Sequence, residues 1–474
     1  MADVLRKSLS QLSAGISTGS LRAEELLNAA VSNHQRSGGS LGAYIVWDPD
    51  RGLEQARVAD ASQANGTPAG SLRGLPISVK DLFGVANYPT YAGTRKPLPV
   101  EWCTEGPVVR QLRRQQAVIA GKTHSVEFAF GGLGVNPHWR TPRNPWDPEH
   151  HRVPGGSSSG AGVSLCAGSA VLALGTDTAG SVRIPASMTG NVGLKTSIGR
   201  WNTTGIVPLS PSLDSVGLLT RTVDDAIFAF LALDRELAKD RRCEPVSDAE
   251  LYGLRIGLSD GVLWSDCSPG VTESITIAVD ELVGAGARKI ALELPEIEKV
   301  LPVFRKGGLA GVELQTFLKN SLPDWIPLLD PKIEQRMQDA ATLTACEYLE
   351  RVSLFRTLGL GIRQRLRSVD ILVSPAVPLT APTMVEIDDL GRYRECNLLS
   401  LRNTSFVNCL GLCAVTLPVG LDAAGIPVGM QLVASHGQDV RLLSIARTVE
   451  RCLGDSRERC GEPPVRCHPV AGAG

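Results

Sequence analysis

The chain predicts an α/β fold built on a central mixed, twisted β-sheet with α-helices on both faces. Two observations carry this reading. Short apolar runs of strand type recur along the chain, and stretches with helical spacing of apolar residues lie between them.

Taken in order, Leu21, Leu26, Leu27, Ala30 and Val31 share one face of a helix, with Ser20 placed to cap its start. The first sixty residues read as largely helical. Ile77-Ser78-Val79 has no polar break wide enough for a loop and reads as a buried strand. Amphipathic spacing predicts a helix over 108–116, and Ala117-Val118-Ile119-Ala120 a second strand. Further helices are expected over 164–174, 222–237, 272–283 and 439–453. Strands are expected over 254–258, 371–373 and 415–417. No low-complexity linker or internal repeat divides the chain. One domain over 1–460 is therefore expected, with a core of motifs over 60–235 and a region at 235–400 punctuated by Pro302, Pro323, Pro327 and Pro331. Residues 461–474 form a short tail expected to be poorly ordered.

Composition removes several function classes. At 474 residues, 43% hydrophobic and 20% charged, the chain reads as an ordinary globular protein with a sizeable core. A net charge of −1 argues against a nucleic-acid partner held through phosphates. The eleven cysteines include no CxxC pair. Cys409 and Cys413 lack a further ligand close by, so no metal site is expected. An odd cysteine count behind an N-terminus without an apolar signal core suggests reduced thiols in the cytoplasm, and no run is long enough for a membrane span.

Chemistry concentrates in Gly155-Gly156-Ser157-Ser158-Ser159-Gly160 and in Gly175-Thr176-Asp177-Thr178-Ala179-Gly180-Ser181-Val182-Arg183, with Lys80 upstream. These stretches offer serines and a lysine in glycine-rich backbone, with no histidine beside either serine. Glycine lets the chain turn sharply and aim several N–H groups at one point. An exposed hydroxyl beside preorganised donors is what acyl transfer needs.

Together with Gly74-Leu75-Pro76-Ile77-Ser78-Val79-Lys80-Asp81, Gly193-Leu194-Lys195 and Leu213-Asp214-Ser215-Val216-Gly217, these motifs make the chain resemble the amidase signature hydrolases. The resemblance implies a Ser–cisSer–Lys triad: Ser181 as nucleophile, Ser157 after a cis peptide bond as relay, and Lys80 as base. It implies an oxyanion hole from the backbone N–H groups of Thr178, Ala179, Gly180 and Ser181. It also implies Asp177 and Arg183 as an ion pair bracing the loop, and no cofactor. Ala179 departs from the family's usual glycine, and a positive φ there would strain the loop. To act as base, Lys80 must be neutral, which near pH 7.5 takes about 4 kcal/mol of destabilisation of its ammonium form. Apolar neighbours such as Ile77, Val79 and Phe83 suggest the burial required, unless Asp81 turns its charge inward.

The reaction expected is hydrolysis of a small carboxylic amide to acid and ammonia, with a small-molecule amide as the partner and a homodimer left open. Phe128, Gly131, Gly132 and Leu133 are expected at the substrate, an apolar rim favouring aryl or alkyl amides over acidic ones. Two alternatives stand beside it: an amidotransferase-type glutaminase that works with partner chains, and a catalytically silent binding protein on the same scaffold. Smaller readings are weighed with these. Gly156–Gly160 formally matches a nucleophile elbow centred on Ser158, with His436 as the late histidine. Gly121-Lys122-Thr123 hints at a phosphate loop, but Gln116 stands where a glycine is required. His150 and His151 read as loop histidines, and His124 as either pocket lining or packing.

Overall fold

The computed structural model describes residues 4–238 and 245–464. Eleven strands form one mixed sheet: β1 (Tyr44–Trp47), β2 (Pro76–Lys80), β3 (Val118–Thr123), β4 (Leu172–Asp177), β5 (Val192–Lys195), β6 (Ser215–Thr220), β7 (Arg255–Leu258), β8 (Arg288–Ala291), β9 (Ile371–Pro375), β10 (Cys413–Leu421) and β11 (Pro427–Ala434). Their spatial order is β1-β3-β2-β4-β6-β5-β10-β11-β9-β7-β8. Parallel pairing joins β3, β2 and β4, so the carboxyl ends of β2 and β4 reach the same edge. That edge carries Lys80 and Asp177, in the place where open α/β sheets present their ligand sites. From β4 to β11 by way of β6, β5 and β10 the pairing is antiparallel.

Residues of β2, β4 and β6 are buried throughout, so their apolar residues do not alternate with exposed polar ones, and the polar residues among them, Lys80 and Asp177 included, are buried too. One apolar cluster holds β2 and β3 against the N-terminal helices, with Leu26, Ile77, Val79, Leu112 and Ile119 among its members. A second, including Ile297, Leu301, Phe355, Ile362, Leu401 and Phe406, joins the helices of 295–409 to Leu372 of β9 and Ala414 of β10. The helix Ser159–Cys166 lies against the end of β3. A Cβ at Gly160 would sit 2.0 Å from the Ala43 carbonyl oxygen, so only glycine allows this approach.

Several expectations need correcting. The helix expected over 164–174 ends at Cys166, and Leu172–Leu174 lie in β4. Gly168, at φ +69°, turns the chain between them, and its N–H donates to the Leu165 carbonyl. Ser20 is not the cap of the helix Ala23–Asn33. Arg22 stands at that position, its N–H donating to Glu25, while Asp60 accepts the N–H groups of Ala23 and Glu24 at 2.7 and 3.2 Å. Residues 465–474 of the expected tail lie outside the described residues. Among the described residues no helix is long and apolar enough to cross a membrane.

Lys122 belongs to β3, not to a phosphate loop. Its Nζ lies 3.0 Å from Asp81 Oδ1 with both side chains fully buried, and it donates to Thr90 Oγ1 at 2.7 Å. Burial pushes the Asp81 carboxyl up and the Lys122 ammonium down, and each partner's charge opposes the shift. Lys122→Met should therefore strand a buried carboxylate and cost about 3–5 kcal/mol, read as a lower urea midpoint. Lys122→Met combined with Asp81→Leu should recover a large part of that loss. Equal midpoints for wild type and Lys122→Met would show that the pair contributes nothing.

Candidate active site

Lys80 meets Ser157 from a separate segment, and the Ser181 carbonyl accepts the N–H of Ser158, the residue after Ser157, at 3.2 Å. Lys80 ends β2, Ser157 sits in the turn before the helix Ser159–Cys166, and Ser181 lies between β4 and the helix Arg183–Thr189. The Gly156–Ser157 peptide bond is cis. Gly156 donates its N–H to the Gly132 carbonyl at 2.7 Å, and the Ser157 carbonyl accepts the Val126 N–H at 3.2 Å, which anchors the turn on both sides. Lys80 Nζ donates to Ser157 Oγ at 2.7 Å and to Thr176 Oγ1 at 2.8 Å. Complete burial pulls the Lys80 ammonium down to about 7, with the charges of Asp214 and Asp177 opposing. The Asp81 carboxylate is turned inward but pairs with Lys122, not with Lys80.

Asp177 organises the nucleophile loop. Its carboxylate accepts N–H groups from Gly180 at 2.8 Å and Val182 at 3.1 Å, and Arg183 pairs with it through Nε and Nη2. Burial alone would raise this carboxyl, but the Arg183 charge and hydrogen bonds, with Lys195 and Asn408, hold it well below the usual carboxylate range. Both partners are fully buried.

This arrangement changes the expected oxyanion hole. The Gly180 N–H is committed to Asp177, leaving those of Thr178, Ala179 and Ser181 with no protein acceptor among the described residues. Ala179 carries no strain of the kind expected. Positive φ falls on Gly180, at +132°, not on Ala179. A Cβ at Gly180 would lie 2.1 Å from Thr404 Oγ1, so the requirement for glycine sits one residue later than expected. Thr178 donates its hydroxyl to Asp214, whose carboxyl burial raises to about 6.

Of the four residues expected at the substrate, one lines the cleft that holds Ser181. That cleft is walled by Ala129, Phe130, Gly131, Leu209, Leu213 and Leu401 among others. Phe128 and Leu133 are instead packed in the two apolar clusters. Gly132 is a support: its N–H donates to Asn397 Oδ1 at 2.7 Å while its carbonyl holds Gly156. The expected segment lies within two residues of the observed wall, but Phe128 has φ +46°, and this turn directs Ala129 and Phe130 at the cleft in its place. Sequence reasoning also missed Thr176 and Asp214 as neighbours of Lys80, although both lie inside the motifs that carried the resemblance.

Ser158 does not suit an elbow. It is fully buried, and its hydroxyl donates to the Thr176 carbonyl. His124 is packed rather than pocket-lining, with Nδ1 2.9 Å from Ser159 Oγ and burial lowering its pKa to about 3. His150 reaches Asp147 at the surface while His151 turns to the Thr141 carbonyl, so the adjacent pair does not converge. Among the described residues no group of three or more His, Cys, Asp or Glu is arranged to hold a metal ion.

Comparison with known proteins shows the family. The family model described as Amidase matches residues 25–443. The chain is 45% identical to 2-amino-5-chloromuconic acid deaminase of Comamonas testosteroni, covering 97% of this chain and 98% of that one. It is 31% identical to a glutamyl-tRNA(Gln) amidotransferase subunit of Anaeromyxobacter sp. (strain K), covering 95% and 97%. A solved structure described as an amidase superposes with a TM-score of 0.84 at 32% identity, covering 94% of this chain and all of that one. The chain belongs to the amidase family and is a hydrolase of amide C–N bonds.

Proposed function

We propose that this amidase releases ammonia from a small carboxylic amide through an acyl-enzyme on Ser181, with Ser157 as proton relay and Lys80 as base. The observation that carries the reading is the 2.7 Å contact of Lys80 Nζ with Ser157 Oγ in a site that pulls the ammonium down to about 7. In the neutral amine a lone pair faces Ser157, which donates to it as Ser181 loses its proton and attacks the carbonyl carbon. The oxyanion is received by the N–H groups of Thr178, Ala179 and Ser181. Ser157 returns a proton to the leaving nitrogen, and water then cleaves the acyl-enzyme by the same route.

The apolar wall of Phe130, Leu209, Leu213 and Leu401 supports an aryl or alkyl carbon frame next to the reacting carbonyl. The name of the relative at 45% identity supports ammonia as the leaving group. The described cysteines are all free thiols, in keeping with a reducing cytoplasm. The amidotransferase relatives favour a second reading, release of ammonia from glutamine for partner chains.

The deciding experiment is ammonia release by the purified single chain and by Ser181→Ala, over aryl, alkyl and amino-acid amides. Release confined to wild type and to the non-amino-acid amides supports the first reading, whereas turnover of glutamine alone moves the assignment to the second. Because the neutral amine is the base, kcat/KM should rise with pH through about 7 and level off above it. Asp214→Asn removes a charge that favours the ammonium, so the midpoint should move to lower pH. A midpoint near that of free lysine would sink Lys80 as the base.

Gly180→Ala should drive a methyl group into Thr404 and tilt the neighbouring donors. We expect at least a hundredfold loss of kcat, in line with the roughly 3–4 kcal/mol of one displaced oxyanion donor. Unchanged acylation by an activated ester would contradict that placement of the hole.

A further inference from the structure

The turn 209–214 serves the site twice. Its Leu209 and Leu213 wall the cleft that holds Ser181, and its Asp214 accepts the Thr178 hydroxyl and bears on Lys80 through its charge. The two leucines are anchored in different apolar clusters, Leu209 with Ile77 and Val79, Leu213 with Leu401 and Phe406. Between them Pro211 and Ser212 are exposed, so apolar packing does not fix the middle of the turn.

Hydrogen bonds fix it instead, and they converge on Ser210. The Ser210 carbonyl accepts the N–H groups of Leu213 and Asp214, both at 2.8 Å. Its own N–H and that of Leu209 donate to Asp214 Oδ2, both at 3.1 Å. Its hydroxyl leaves the turn and donates to Glu313 Oε2 at 2.9 Å, on the helix Ala310–Ser321. Glu313 Oε2 also accepts the Ser212 N–H at 3.1 Å. Glu313 Oε1 accepts the Tyr348 hydroxyl at 2.9 Å, from the helix Ala345–Arg365. One carboxylate thus ties the turn to two helices more than a hundred positions along the chain. Ser210 is fully buried, so losing Glu313 would leave its hydroxyl without this acceptor in a place water does not reach.

We propose that Glu313 is a positioning residue for the reaction. It holds Ser210, Ser210 orients the Asp214 carboxylate, and Asp214 fixes Thr178, whose N–H is one of the open donors. The proposal rests on Ser181 as nucleophile with Thr178 among its oxyanion donors. Glu313 is not among the described residues lining the cleft, and it acts through the turn alone. A donor helps by being aimed before charge develops, so a turn loosened at Ser210 slows acylation more than it weakens binding. The wall keeps its grip on substrate, because Leu209 and Leu213 retain their own apolar anchors. The role needs acceptor geometry rather than charge. A glutamine can accept from Ser210 and Ser212 through its oxygen and donate to the Tyr348 oxygen through its amide.

The test uses 4-nitrophenyl butyrate, an activated ester with an apolar acyl chain, at about pH 8.5, where the Lys80 amine is largely neutral. Burst amplitude counts the chains acylated at Ser181, so unfolded chains do not enter the rate. Glu313→Ala should slow acylation at saturating ester by about tenfold or more, while the half-saturating concentration moves by less than about threefold. Glu313→Gln should restore the rate to within about threefold of wild type. Ser210→Ala removes the same bond from the other side and should slow acylation by a similar factor; it carries the test alone if Glu313→Ala does not fold. The double variant should be little slower than either single one. A wild-type rate in Glu313→Ala or Ser210→Ala, Glu313→Gln as slow as Glu313→Ala, or losses that multiply in the double variant would overturn the proposal. Hydrogen exchange at Leu209 and Ser210 reads the turn without chemistry, and it should quicken in Glu313→Ala and Ser210→Ala but not in Glu313→Gln. If wild type shows no burst and Ser181→Ala turns the ester over equally, the nucleophile reading fails, and the hold of Glu313 on Asp214 then stands or falls on that exchange.

Discussion

The rest of the site hangs on the buried carboxylate of Asp177. It stands at the last residue of β4, where the chain must stop being sheet and turn into the helix Arg183–Thr189 with Ser181 between them. Accepting two backbone N–H groups, from Gly180 and Val182, it bends the intervening residues around itself. Arg183 neutralises it, and that guanidinium is held in turn by Gln431 of β11 and by Asn408. Strands and a helix distant in sequence thus fix the nucleophile loop through one charge. Removing either partner would leave a fully buried charge at a cost of about 3–5 kcal/mol, which makes the loop rigid rather than adaptable. Rigidity is what oxyanion donors need, since their benefit comes from being aimed before charge develops.

The same sheet buries three lysines and gives them three fates. Lys122 meets a carboxylate and forms an ion pair. Lys195 donates to the carbonyls of Thr196 and Leu412, with the charge of Asp177 in range, and burial lowers it only to about 8. Lys80 meets two hydroxyls, Ser157 and Thr176, neither of which carries a charge to hold a proton on it. Burial is common to all three, so what distinguishes Lys80 is its partners, and it is these that suit it to the base role proposed for it. Asp214 and Asp177 act on Lys80 without touching it, which keeps its titration near neutrality instead of far below it.

Much of this was legible in the sequence because it is carried by short contiguous motifs. The alternation of strands with helices follows from local pattern, and the motifs carry the resemblance that implied the triad and the Asp177–Arg183 pair, the latter formed with both side chains buried. What was missed depends on contacts between distant segments. Nothing local shows that Asp177 takes the Gly180 N–H, so four oxyanion donors were expected where three remain open. Phe128 looked like a pocket residue beside Gly131 and Gly132. Its positive φ, set by packing, turns Ala129 and Phe130 to the cleft instead. Leu172–Leu174 continue a helical apolar pattern, and only the left-handed turn at Gly168 separates them from the helix before. No local pattern tied Gln431 or Asn408 to the loop, because each acts on a residue more than two hundred positions away.

The division of labour across the cleft follows from the same logic. A base that must be neutral near pH 7 cannot have a substrate carboxylate beside it, because a nearby anion would favour the ammonium form. The wall of the cleft that holds Ser181 is mostly apolar, with Arg336 the one cation among its described lining residues. Lys80, Ser157 and Ser181 lie on the strands and turns that carry the motifs, while Phe304, Gly307 and Arg336 bring the segments between 295 and 341 to the same cleft. The two regions meet where Arg336 rests on Phe130.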